Sequence, residues 1–300
     1  MKTMVGFVFS LLSAMVVGCG GEDTSSGAGT LAIRITGEDA AKTGFPVEEE
    51  GEAIAFADGW TVQFSKVLVS FGALDVRGAD GAVAIESRER WVADLHAGDA
   101  SLPVFEGIEA RRWDRFRYEI AAPDASAVAL DGVAEAEVQA MIDGTFNYWL
   151  EGTATKAGDT YTFAWGLANP TRNANCTNGL DGTDGVVIRS NTTTEAEITI
   201  HLDHLFWDTL GTEEASLRFD ALAAAAGTDK EISLDDLATQ KLSDLKGLDG
   251  MPLVDAEGKP IVYNPGSVPL ASQDLLSFLL ASSASMGHLN GEGLCTVSAL

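Results

Sequence analysis

Between Thr30 and about Ile200 the chain alternates apolar and polar residues in short runs. "TLAIRI" sets Leu31, Ile33 and Ile35 on one face and Ala32 and Arg34 on the other, the period of a half-buried strand. "RFRYEI" repeats the alternation, and so does "FNYWLEGTATKAGDTYTFAWGL", in which "KAGD" separates two strands as a hairpin turn. The longest run, "WTVQFSKVLVSFGALDV", is rich in Val, Leu and Phe, with period-two stretches. "GVVI" and "AEITIHL" follow after turns rich in Gly and Asp. Short strands punctuated by turn signals every 8–12 residues or so predict an antiparallel sandwich or barrel. No strand–helix–strand rhythm and no glycine-rich phosphate loop after a strand is present.

Past Leu205 the texture changes. "TEEASLRFDALAAAAG" opens on Thr212 and two acids and closes on Gly227, with Leu217, Leu222 and Ala225 near one face, and predicts a helix. "SLDDLATQKL" begins like a capping box, and "SQDLLSFLLASSASMG" is a third, more apolar helix stopped by Gly287. The expected fold is mainly β, an antiparallel β-sandwich or barrel with a C-terminal helical subdomain, α+β overall.

The N-terminus carries Lys2, an apolar run from Met4 to Val17, then Gly18 and Cys19. That run is too short for a finished membrane span and has the build of a secretory signal. "VVGC" resembles the bacterial lipobox. The resemblance implies cleavage before Cys19, acylation of that cysteine and anchoring in a lipid bilayer, with Gly20 favouring the outer membrane. "GGEDTSSGAG" reads as a flexible tether. The organisation expected is a signal peptide over 1–18, a tether over 19–29, a β domain over 30–205 and a helical subdomain over 206–300, exported to the cell envelope.

A formal charge of −26 argues against nucleic acid and against docking on anionic lipid. With Cys19 assigned to the lipid, Cys176 and Cys295 remain. In an oxidising compartment two leftover cysteines predict a disulfide, with a pair of thiolate metal ligands as the alternative.

The chain has four histidines, and two fall in "HLDHLFW". His201 and Asp203 project from one face of the incoming strand; if the chain turns helical at Asp203, His204 can swing toward His201. His288, in "MGHLNGEGLC", lies four residues before Glu292, and a Cys176–Cys295 bond would draw that tail toward the β domain. The candidate ligands are therefore His201, His204 and His288 with Asp203 and Glu292, a nitrogen-rich set that suits zinc or copper. Against a metal stand a helix-capping role for Asp203 and ordinary packing of histidines at a strand end. His96 reads as a surface turn. Calcium is not expected: "AAAGTDKEISLDDL" resembles the end of a calcium loop but lacks its early oxygen ligands and closing Glu. "CTNGLDGTDG" reads as a solvated turn.

Tyr148, Trp149, Tyr161 and Trp165 lie in one predicted hairpin, where exposed rings could stack on sugars, making a surface carbohydrate-binding or adhesion module the second reading. Core packing is the competing explanation. No catalytic residues can be named: there is no "GxSxG" and no Ser/His/Asp arrangement. The "HxDHLF" segment (His201 to Phe206) and the "GHxxGEGxC" tail (Gly287 to Cys295) resemble those of uncharacterised lipoproteins from environmental Gram-negative bacteria, a likeness that implies no activity. The sequence thus points to an envelope-anchored binding protein with a transition metal between β domain and helical cap. A carbohydrate module and a purely structural lipoprotein are the alternatives.

Overall fold

The computed structural model describes residues 27–49, 51–212 and 215–300; the signal segment, Cys19 and the tether as far as residue 26 lie outside the described residues. The long strand Thr61–Arg77 is the middle of the larger sheet. On one side it pairs with Tyr148–Lys156, which pairs in turn with Asp159–Leu167. On the other lie Arg115–Ile120, Thr171–Ala174 and finally Thr296–Ala299. All these pairs are antiparallel.

The smaller sheet is built on Ala28–Thr36, flanked by Thr193–Ile200 and by the short strands Ala100–Ser101 and Phe105–Glu109. Gly287–Leu289 pairs with the free side of Thr193–Ile200. Besides two short two-residue pairings in the larger sheet, one long joint departs from the antiparallel expectation: Ala28–Thr36 and Thr193–Ile200 run parallel, with Ile33 opposite Ala196. A parallel pair needs a crossover, and here most of the larger sheet supplies it.

The fold is mainly β and sandwich-like, as the alternation predicts. Leu31, Ile33 and Ile35 of the smaller sheet and Phe116, Tyr118, Ile120 and Leu150 of the larger belong to one buried cluster. At its centre Phe206 packs edge-on or tilted against Phe45, Phe56 and Phe219, with ring centroids 6.1, 5.2 and 5.8 Å away. The change of texture along the central strand also has a cause. Val62 and Phe64 face the core while Gln63 and Ser65 face water, but from Val67 onward both faces are covered. There helix α2 (Glu135–Gly144, following α1 at Glu38–Thr43) lays Val138 and Met141 on Leu68 and Val92.

The C-terminal helices are shorter than their sequence signals: α3 at Asp220–Ala225, α4 at Leu234–Thr239 and α5 at Leu275–Ser283. The expected helix from Thr212 begins instead at Asp220. Leu217 bridges back to Trp207, Phe219 is buried among the aromatics, and the Asp58 carboxylate accepts the N–H groups of Phe219 and Asp220 at 2.7 and 2.8 Å. The start of α3 is therefore fixed by a residue distant in sequence. The capping box at Ser233 forms as its sequence suggests, Ser233 Oγ accepting from the Asp236 N–H at 3.1 Å. Three strands of this last third, Glu231–Ile232, Gly287–Leu289 and Thr296–Ala299, join the two sheets, and the same buried cluster runs through Leu222, Leu237 and Phe278, so among the described residues no separate core lies beyond residue 205. Cys176 and Cys295 form a disulfide across 119 positions. Among the described residues no helix is long and apolar enough to cross a membrane.

Candidate metal centre

Strand Thr193–Ile200 ends one residue before His201, whose N–H donates to Met286 O at 2.9 Å. The chain then tightens into a 3₁₀ turn over Asp203–Phe206, which brings His204 back toward His201. Their rings lie 5.3 Å apart and nearly parallel. His288 arrives on the neighbouring strand directly opposite Thr199, and its ring lies 4.4 Å from His201 and 5.1 Å from His204. Gly287 permits that approach, since a Cβ there would meet the Tyr118 hydroxyl at 2.8 Å. The Tyr118 hydroxyl donates to His288 O at 3.2 Å and holds the strand in place.

All three imidazoles are buried, and each has a nitrogen on a backbone carbonyl. His204 Nδ1 lies 2.9 Å from Ser285 O, His288 Nε2 lies 3.1 Å from the same oxygen, and His201 Nε2 lies 3.3 Å from Gly291 O. A carbonyl can only accept, so these nitrogens carry the hydrogens; on neutral His204 and His288 the lone pairs belong to Nε2 and Nδ1, while His201 Nδ1 faces carboxylates. His288 Nδ1 is buried with no hydrogen-bond partner. Fixing the tautomer through the far nitrogen is the arrangement that metal-ligating histidines use.

Carboxylates complete the group. Glu292 lies 3.7 Å from His288 Nδ1 and 3.9 Å from His201 Nδ1, and Glu38 lies 3.4 Å from His201 Nδ1. Two ligand atoms each about 2.1 Å from a tetrahedral ion stand roughly 3.4 Å apart, so these gaps are close to those of a coordinated pair. His201, Asp203 and His204 form one set whose ligand atoms lie within 4.8 Å of one another, and His201, His288 and Glu292 form a second. His201 is common to both.

Burial, followed by the neighbouring His201, lowers His204 to about 3, and burial with both other imidazoles lowers His288 to about 3. Both are neutral at ordinary pH, the form that binds metal. Burial raises Asp203 above the usual carboxylate range, opposed by His201 and by a hydrogen bond from Trp207. The Trp207 ring covers His204 at 3.6 Å. Asp203 is not the helix cap that its position suggests: Leu202 precedes the turn and no side chain caps it.

Glu38 is the member that sequence reasoning misses. It follows Gly37 at the start of α1 with φ 56°, a left-handed conformation uncommon for a residue with a side chain. Nothing in "TGEDAAKTG" marks it, because only the parallel pairing of the smaller sheet brings it to His201.

The aromatic hairpin does not form a sugar platform. Tyr148 and Trp165 are 1 % and 0 % exposed, and the Trp165 N–H donates to Ile232 O inside the core. Tyr161 lies on that same inward face against Trp60, whereas Trp149 is on the opposite face, half-covered by the α2 cluster and Lys66. The alternation within each strand divides these rings between two faces. In "CTNGLDGTDG" the Asn178 and Asp181 side chains accept N–H groups two residues on, as turn-forming residues do. His96 Nδ1 lies 2.9 Å from Ala41 O and belongs to neither ligand set.

No family model matches the chain, and no curated protein matches it. Among solved structures it is similar to MbnP from Methylosinus trichosporium, at 10% identity and a TM-score of 0.34, over 91% of this chain and 99% of that one. A likeness this distant carries no inference about the site.

Proposed function

We propose that this protein is an extracytoplasmic, lipid-anchored binding protein that holds one transition metal ion, zinc or copper, among His201, His204 and His288, with Glu292 or Asp203 as carboxylate partner. The observation that carries the reading is the tautomer pattern. Three buried imidazoles each have one nitrogen on a backbone carbonyl, which leaves the other nitrogen of each for a ligand, and one of these, His288 Nδ1, has no hydrogen-bond partner. Leaving a buried polar atom unpaired costs about 1–3 kcal/mol, a cost that a ligand on His288 Nδ1 would relieve. Imidazole-rich sets with a carboxylate bind zinc and copper in preference to calcium or magnesium. Both cysteines of the described residues are joined to each other, which leaves nitrogen and oxygen donors.

Anchoring through Cys19 rests on the lipobox-like "VVGC" and on the disulfide, which fits an oxidising compartment. Elemental analysis tests the metal. The domain from Gly20 onward, exported to a periplasm, is expected to carry near-stoichiometric zinc or copper, and a His201→Ala, His204→Ala double variant is expected to carry none. Equal metal in both, or none in either after incubation with each ion, would reject the site.

A further inference from the structure

Along strand Thr193–Ile200 the core takes Ala196, Ile198 and Ile200. The intervening positions, Glu195, Glu197 and Thr199, therefore share the opposite face with His201, which follows the strand. A cleft of about 310 Å³ opens over that face. Glu197 and Glu195 line it at four and six strand positions from His201, and Glu38 and Glu292, the two carboxylates facing His201 Nδ1, line it next to that histidine. Beyond Glu292 lies His288 Nδ1, on a residue only 4 % exposed and without a hydrogen-bond partner.

We propose that this cleft is the port through which a hydrated divalent cation reaches the histidines, passing from Glu195 and Glu197 to Glu292 and then to His201 and His288. The inference rests on the metal-site reading. Carboxylates suit the cleft, whose lining holds no histidine, because they attract a cation that still keeps its water shell, and the buried imidazoles behind Glu38 and Glu292 suit its end point because they replace that shell. Glu292 fits the hand-over. Its side chain is 72% exposed, yet its two oxygens lie near two different imidazoles.

Arg34 acts as the resident cation of the port. It stands opposite Glu197 in the parallel pair, forms an ion pair with it and hydrogen-bonds to Asp99. An incoming ion competes with this guanidinium, so the port is open to small dications and unfavourable to anionic metal chelates. A strand rises about 3.3 Å per residue, which puts Glu197 roughly 13 Å and Glu195 roughly 20 Å from His201 along the strand. Charges at that range act on the rate of arrival, and act best when the screening length exceeds about 10 Å.

The test is stopped-flow mixing with Cu²⁺ at low ionic strength, read by quenching of tryptophan fluorescence, since Trp207 lies against His204. Copper is the chosen probe because a nitrogen site takes it more tightly than zinc. Glu195→Gln with Glu197→Gln should slow association about three- to tenfold and leave dissociation nearly unchanged. Arg34→Gln should speed association. Glu135→Gln with Glu257→Gln removes the same charge from exposed positions away from the cleft and should leave the rate near that of the parent. If the parent binds Cu²⁺ and the cleft pair is no slower than this control pair, the port is wrong and the site stands. If the parent takes up no Cu²⁺, both fail.

Discussion

Acidifying the metal-free protein tests the burial of the histidines without any ligand. An unfolded chain takes up a proton on each imidazole as pH falls through about 6.5. In the folded protein burial and neighbouring imidazoles hold His204 and His288 neutral down to about 3. Between those values the unfolded state binds more protons than the folded one, so stability falls with falling pH. The loss is absent above the unfolded value and complete below the folded one. At pH 5 each histidine costs about 2 kcal/mol, and the pair about 4 kcal/mol if they act independently. The comparison protein is His204→Asn, His288→Gln. These amides retain an N–H near His204 Nδ1 and His288 Nε2, so the bonds to Ser285 O can persist while the titration is removed. The opposite contribution of Asp203 is present in both proteins and cancels in the difference. Guanidinium unfolding with chelator present, at pH 7 and pH 5, should show the parent losing about 4 kcal/mol more than the variant. Equal losses would mean that the imidazoles protonate freely in the fold, and the tautomer argument would go with them.

Removing the disulfide with Cys176→Ala and Cys295→Ala opens a loop of 119 positions, for which the chain-entropy relation gives a loss of up to about 5 kcal/mol; chemical denaturation showing less than ~1 kcal/mol would contradict it. Phe219→Ala should cost about 3–5 kcal/mol in the same assay, because its ring is buried against Phe56, Phe163 and Phe206, while metal content stays that of the parent. Gly287→Ala should weaken copper affinity about tenfold in titration calorimetry by pushing His288 off the Tyr118 hydroxyl. Tyr118→Phe in that background should recover part of the loss; an unchanged affinity for Gly287→Ala would show that the His288 seat does not matter.

The alternation in "TLAIRI", "RFRYEI" and the "KAGD" hairpin made the strands legible, since a face either meets the core or does not. Pairing was less so. Nothing local says that Ala28–Thr36 lies parallel to Thr193–Ile200, and that joint sets Glu38 beside His201. The helix signals in "TEEASLRFDALAAAAG" were real but over-long, because Leu217 and Phe219 belong to the aromatic core and Asp58 supplies the amide acceptors that start α3. The histidine group could be read from "HLDH" and the "GHLNGEGLC" tail once the cysteines were paired. The hairpin aromatics misled for the opposite reason: composition places them in one segment, while strand alternation sends them to different faces.

The most direct measurement is a crystal of the protein soaked in Cu²⁺ or Zn²⁺, with data on both sides of the metal's absorption edge. The account predicts a single strong anomalous peak among His201, His204 and His288, about 2.1 Å from imidazole nitrogens that include His201 Nδ1 or His288 Nδ1. Peaks confined to surface carboxylates, with the three imidazoles bare, would contradict it.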